Sequence, residues 1–229
     1  MNSRLTLIGA ALFAVGILLL VFSLNRVVKR IRYRDTGDKF RRPPKSPSLI
    51  VVILALVFIV FGDGFFWLSS QIDSFRPIGA DGIIGRVQVE RLDDPVKSLG
   101  VAYTPSEGNV ESVPNLFYLS GDSWRFKGEI IDFKIANKYL NLPARAYKTT
   151  AFNGRFLERL PPNASGALLD ENILEGGSSA AYRLFRDSRY FKWFAGVDSF
   201  AIDYITTAKR DSFMIRLEAD GSLALDTVK

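Results

Sequence analysis

Two long apolar runs constrain this chain more than any other feature. Leu5–Leu24 (LTLIGAALFAVGILLLVFSL) carries no charge over 20 residues. As a helix of about 1.5 Å rise per residue it spans about 30 Å, the hydrocarbon depth of a bilayer. Ser48–Ser70 is a second run, with Asp63 as its one charge. The first run is longer than the apolar stretch of a usual signal peptide. It ends in Asn25-Arg26-Val27-Val28-Lys29-Arg30 with no small-x-small cleavage site, so it reads as a retained helix. The expected organisation is a transmembrane helix over 1–24, a basic loop over 25–47, a second transmembrane helix over 48–70, and one β-rich domain over 71–229.

Charge then orients the hairpin. Of 30 Lys and Arg, nine fall in residues 25–47 beside two acids, a local net of +7. Such a loop stays cytoplasmic under the positive-inside bias. The reading is therefore a two-pass protein of the cell (inner or plasma) membrane, with both termini outside and the bulk of the chain extracytoplasmic. Bases between Arg26 and Lys45 would lie on anionic headgroups, or serve only to fix topology, or meet a cytoplasmic partner. Residues 71–229 hold 20 bases and 21 acids, so nucleic-acid binding is not expected of the large domain.

Within the spans, Gly9, Ala10, Ala14 and Gly16 give the first helix a small-residue face. Ala10 and Ala14 form a small-xxx-small pair, suited to packing of the two spans or to a homodimer, unless they merely face lipid. Asp63 is the one ionisable intramembrane residue, a functional candidate by type. It sits within about two turns of the outer surface, so a hydrated structural role competes with contact to a partner.

The remainder reads as strands. Ile84–Arg91 alternates, with Val87 and Val89 on one face. Val101–Thr104 is a shorter strand. Leu116–Leu119 and Trp124–Phe133 flank Ser120-Gly121-Asp122-Ser123 and read as a hairpin. In Trp124–Phe133, Trp124, Phe126, Gly128 and Ile130 share one face, and Arg125, Lys127 and Glu129 the other. Asn153-Gly154 between Arg145–Phe152 and Arg155–Leu160 is a second hairpin signal, and Asp220-Gly221 between Phe213–Glu218 and Leu223–Asp226 a third. Phe200–Thr206 is a further strand, and Pro161–Glu175 reads as loop. One helix, capped by Ser178 or Ser179 after Gly176-Gly177, is expected to run to about Ala195 with Gly196 at its stop. The expected fold is a transmembrane helical hairpin plus an antiparallel sandwich or partial barrel with one covering helix.

That helix carries Arg183, Arg186, Arg189 and Lys192 at every third position, interleaved with aromatics including Trp193. Basic and aromatic residues together suit headgroups or a polyanion. The plainer reading has the aromatics plugging the sheet and the bases in solvent.

The chain has no His and no Cys. This removes imidazole and thiolate chemistry: no Ser-His or Cys-His triad, no thiolate metal site and no disulfide. Candidate carboxylate pairs are Asp93-Asp94, Asp170-Glu171, and Glu129 with Asp132. No phosphate-binding glycine motif or EF-hand loop occurs, and no cofactor is expected. Asn163-Ala164-Ser165 fits a glycosylation triplet.

Several stretches carry a resemblance: GDSWRFKGEIIDF, YLNLPARAYKTTAFNGRF and GVDSFAIDYITTA. Their marker residues are Gly121, Asp122, Trp124, Gly128, Leu140, Asn141, Leu142, Tyr147, Lys148, Gly154, Arg155, Phe156, Val197 and Asp198. Over roughly Leu116–Thr207 the chain is similar to small bacterial membrane-anchored proteins often labelled "cation/multidrug efflux pump". It departs from them at Asn137-Lys138-Tyr139, where a Pro-Trp pair is expected. The resemblance implies a shared fold and says little of activity. Pumps place substrate between many helices near the midplane, which two spans alone do not build.

The leading expectation is a non-catalytic envelope protein whose outer domain binds a protein partner or envelope component. An accessory subunit of a transport complex is the alternative, and a carboxylate-dependent envelope hydrolase a third.

Overall fold

The computed structural model describes residues 3–36, 49–92, 98–106, 113–157, 169–174, 176–207, 209–218 and 221–228. The chain forms two compact units, Met1–Asp73 and Ser74–Lys229.

The first unit is an antiparallel pair of helices, α1 (Ser3–Thr36) and α2 (Leu49–Ile72). Helix α1 continues well past the apolar run, through a segment expected to be loop. From Asn25 to Thr36 there is no Gly or Pro to stop it, and Arg and Lys are good helix formers. Pro43-Pro44 lies outside the described residues. The seam repeats every seven residues on both helices: Gly9, Gly16 and Ser23 are buried on α1, and Ala55, Gly62 and Ser69 on α2. A 3.5-residue period keeps such a stripe facing its partner when two helices wind left-handedly. The backbones come close. A Cβ on Gly62 would stand 2.8 Å from the Phe13 nitrogen, and one on Gly16 would stand 2.9 Å from the Ala55 oxygen. The Thr6 and Ser69 hydroxyls lie 3.1 Å apart. Outside the seam the pair is apolar and exposed, as at Leu18, Val60 and Phe61. Only 17% and 11% of the most apolar windows of the two helices are buried, as in lipid-facing spans and unlike the core helix of a soluble protein. Both helices are long and apolar enough to cross a membrane.

The second unit is two antiparallel sheets packed face to face. Sheet B runs β11 (Leu223–Thr227), β10 (Arg210–Leu217), β2 (Ile83–Arg91), β3 (Ser98–Pro105), β4 (Asn115–Ser120). Sheet A runs β1 (Arg76–Pro77), β6 (Arg145–Arg155), β5 (Ser123–Asp132), β8 (Gly196–Ala201). Onto sheet A, β7 (Leu169–Ile173) pairs with β6, and β9 (Ile205–Thr206) pairs with β5. Among the described residues neither sheet closes into a barrel, and the two sheets share one apolar core.

The expected alternation in β2 holds: Val87 and Val89 are fully buried while Arg86, Gln88 and Glu90 are exposed. Across the core, Trp124, Phe126, Tyr147 and Phe152 of sheet A meet Val87, Leu99, Val101 and Tyr103 of sheet B. Tyr103 stands 5.5 Å from both Phe126 and Phe152, ring to ring. Two hydroxyls tie the sheets together. Tyr147 donates to the Ile84 carbonyl at 2.5 Å, and Tyr103 lies 3.0 Å from the Thr149 hydroxyl. Burial pushes the Tyr103 phenol well above its usual value and raises that of Tyr147.

Several sequence expectations fail. Ser120-Gly121-Asp122-Ser123 is not a hairpin, because β4 belongs to sheet B and β5 to sheet A. The chain crosses between sheets there, with Gly121 at φ 138°. The Asp122 carboxylate anchors the crossing, accepting from the Ser123 hydroxyl and the Leu157 amide at 2.8 Å each. Asn153-Gly154 is not a turn either. Both residues lie inside β6, where a Cβ on Gly154 would meet the Ser120 oxygen at 2.5 Å. That glycine serves a close approach to the crossing, not a turn. The long helix ending at Gly196 breaks early: α4 (Ala180–Asp187) gives way at the extended Ser188 to a 3-10 turn, Arg189–Phe191, and Gly196 opens β8. The cap is as expected, the Ser179 hydroxyl accepting from the Ala181 amide at 3.2 Å. Phe200–Thr206 divides into β8 and β9, and part of the expected Pro161–Glu175 loop is strand β7. The third hairpin is found, β10 pairing with β11, although Asp220 of its turn signal lies outside the described residues. A short helix not foreseen, α3 (Lys134–Leu140), ends on left-handed Asn141.

Candidate functional site

The outward face of sheet B carries a trough of about 260 Å³. Its geometry follows from strand register. One row across the sheet reads Arg210, Glu90, Gly100, Tyr118; the next reads Ser212, Gln88, Ala102, Leu116. Alternation in β3 buries Leu99, Val101 and Tyr103, which sends Gly100 and Ala102 outward. These two residues form a floor with almost no side chain. On edge strand β4, Leu116 and Tyr118 stand above it, each 70% exposed. Glu90 and Gln88 bound the other side. The trough is thus apolar at one wall and charged at the other.

Gly100 makes this surface informative. Its backbone is not left-handed, and an added Cβ would meet only the Glu90 oxygen and Leu92 at an ordinary 3.7 Å. A glycine inside a strand is destabilising by about 0.5–1 kcal/mol relative to alanine. Nothing in the local packing requires it; what its missing side chain does is keep the trough open.

A second exposed surface lies at 183–193. The expected helix repeat of bases is split between α4 and the 3-10 turn, yet Arg183, Arg186, Arg189, Lys192 and Trp193 are all exposed. Arg186 is engaged by Asp187 at 2.8 Å. That hydrogen bond holds the Asp187 carboxyl below its usual range. The buried face of α4 is Ala181, Tyr182 and Phe185. Glu129, on the face it shares with half-buried Arg125 and Lys127, is buried at the start of this helix. Its carboxylate accepts from the Ser178 hydroxyl and, at 3.1 Å, from the Ser179 amide at the α4 N-terminus.

Of the expected carboxylate pairs, Glu129 and Asp132 do not come together. Asp132 is exposed while Glu129 is buried, and three positions apart on one strand puts them on opposite faces. Glu171 forms an ion pair with Lys127 at 3.4 Å. Asp93, Asp94 and Asn163 lie outside the described residues. Among the described residues no three acidic side chains converge on one point, as chelation by carboxylates alone requires.

In the helical unit, Gly9 and Gly16 are in the seam as expected, but Ala10 and Ala14 point away from it and are exposed. Their α2 counterparts, Ala55 and Gly62, escaped sequence reasoning; the seven-residue spacing shared by both helices was the available signal. Asp63 is exposed on the outer side of the pair, and its neighbour Gly62 takes the seam.

Comparison with family models, with curated proteins and with solved structures finds no match to this chain. Several residues on which a resemblance to efflux-labelled proteins was only an expectation have structural places here. Gly121 and Asp122 form the sheet crossing, Trp124 and Tyr147 the core, Asn141 a helix end, and Gly154 a close approach.

Proposed function

We propose that this chain is a two-pass membrane-anchored envelope protein whose β-sandwich is a binding and assembly module, and that the sheet B trough is where a protein partner docks. The observation that carries the reading is the pairing of an open floor at Gly100 and Ala102 with exposed Leu116 and Tyr118. Solvent-facing Leu and Tyr side chains over an unfilled floor leave apolar area that a partner would cover. The arginine-rich segment after the first span supports a cytoplasmic position for it, with both termini and the sandwich outside. Reporter fusions at residue 40 and at the C-terminus test that topology.

Docking is tested with a photo-crosslinking residue at position 118 in the native membrane. A discrete adduct that disappears in Gly100→Val supports the module. Labelling no stronger than at exposed Glu218 refutes it.

A second reading, an accessory subunit of a transport complex, is favoured by one observation. Among the described residues, no hydrogen bond or ion pair reaches Asp63 on the outward side of the helix pair. If Asp63 meets a larger membrane partner, Asp63→Asn weakens co-purification while leaving the adduct at position 118 intact.

A further inference from the structure

We infer that the turn Arg189–Trp193 is a bilayer-contact element through which the sandwich binds the headgroup layer of an anionic membrane. The turn is built on a fixed base. Phe191 and Phe194 fold inward onto fully buried Phe185, with ring centroids 6.0 and 5.6 Å away. Anchoring those two rings forces the residues between and before them outward: Tyr190 is 82% exposed and Trp193 62%. Trp193 is held edge-on to Phe194 at 5.9 Å, so its direction is set by packing. Arg189 and Lys192 flank the two exposed rings and are themselves exposed, and Arg183 adds a third cation on α4. Across Arg183–Lys192 the one acid is Asp187, and it is occupied by Arg186.

Two aromatic rings with polar tips, presented outward beside exposed cations, match the chemistry of the membrane interface. There the rings sit at headgroup depth and the cations meet lipid phosphates. Charge complementarity selects an anionic surface. Connectivity supplies the opportunity, because only Asp73, Ser74 and Phe75 separate helix α2 from β1. This inference uses a different surface from the trough, so either can fail alone.

The test uses the full chain in nanodiscs with Trp67→Phe, which leaves Trp124 and Trp193 as the tryptophans. Trp124 is fully buried and shielded from lipid. In discs with about one-third phosphatidylglycerol, brominated acyl chains are expected to remove at least half of the Trp193 emission, in line with its interfacial placement. Discs of phosphatidylcholine alone should give much weaker quenching, and R189E/K192E should abolish the effect without changing the circular dichroism. Because the chain has no cysteine, a spin label at Tyr190→Cys provides a second readout with all three tryptophans retained. It should be reached by dissolved oxygen more than by a water-soluble nickel chelate. Equal emission in brominated and plain anionic discs, with a label reached equally by both quenchers as in free solution, overturns the inference. So does quenching that survives the charge reversal.

Discussion

Replacing Gly100 by valine separates a residue kept for folding from one kept for an open surface. The new Cβ would lie 3.7 Å from both the Glu90 oxygen and Leu92, ordinary van der Waals contact. No backbone strain opposes it, because Gly100 is not among the residues with positive φ. Removing a strand-interior glycine lowers the entropy lost on folding, and valine suits a pleated surface, so stability should rise by about 0.5–1 kcal/mol. For a domain of this size each kcal/mol moves the midpoint by about 2–4 °C, giving a rise of about 1–4 °C. Gly154→Ala is the contrast. Its Cβ would stand 2.5 Å from the Ser120 oxygen and 2.9 Å from the Leu119 Cβ, neither of which can give way. It should destabilise by about 1–3 kcal/mol. Thermal melts of the detergent-solubilised protein, followed by the β-sheet circular dichroism, measure both. If Gly100→Val lowers the midpoint as far as Gly154→Ala does, the trough floor is a packing requirement and the argument for an open site falls.

The remaining expectations concern other parts of the molecule. Gly62→Leu should part the helices: a disulfide between Thr6→Cys and Ser69→Cys, whose hydroxyls lie 3.1 Å apart in the native chain, should form readily and then be lost when Gly62→Leu is combined with the pair. Glu129→Ala leaves two donors at the α4 N-terminus without their acceptor and should cost the sandwich about 3 kcal/mol in urea unfolding, an unchanged value counting against the buried cap. At high pH, Tyr103 and Tyr147 contribute destabilisation rather than support: their folded phenols are raised, so stability is fully present below the unfolded value near 10 and is lost as pH rises toward the raised folded values. Phenolate absorbance should therefore show two tyrosines that ionise only with unfolding, and all eight ionising on the folded protein would disprove the inter-sheet staple.

Some of this architecture is written locally. A charge-free stretch of bilayer length must become a helix, because its backbone polar groups find partners no other way in lipid. The buried alternation of β2 and the β10–β11 hairpin were legible for the same kind of reason: one residue's neighbours in sequence are also its neighbours in the sheet. The side-chain half of the Ser179 cap likewise reaches only to Ala181, two residues on.

What tertiary structure alone decided involves residues distant in sequence. Gly121-Asp122 and Asn153-Gly154 look alike as turn signals, yet one is a crossing between sheets and the other lies within strand β6, near its end. Each is fixed by the same meeting of residues 120–122 with 154–157. Glu129 shares a strand face with half-buried Arg125 and Lys127, and it is the more deeply buried because α4, some 50 residues later, caps itself on that carboxylate. The trough exists only because register sets Gly100 beside Tyr118 and Ala102 beside Leu116. Local sequence chooses a residue's preferred backbone and facing, but a surface is made by which strands end up adjacent, and long-range burial makes that choice.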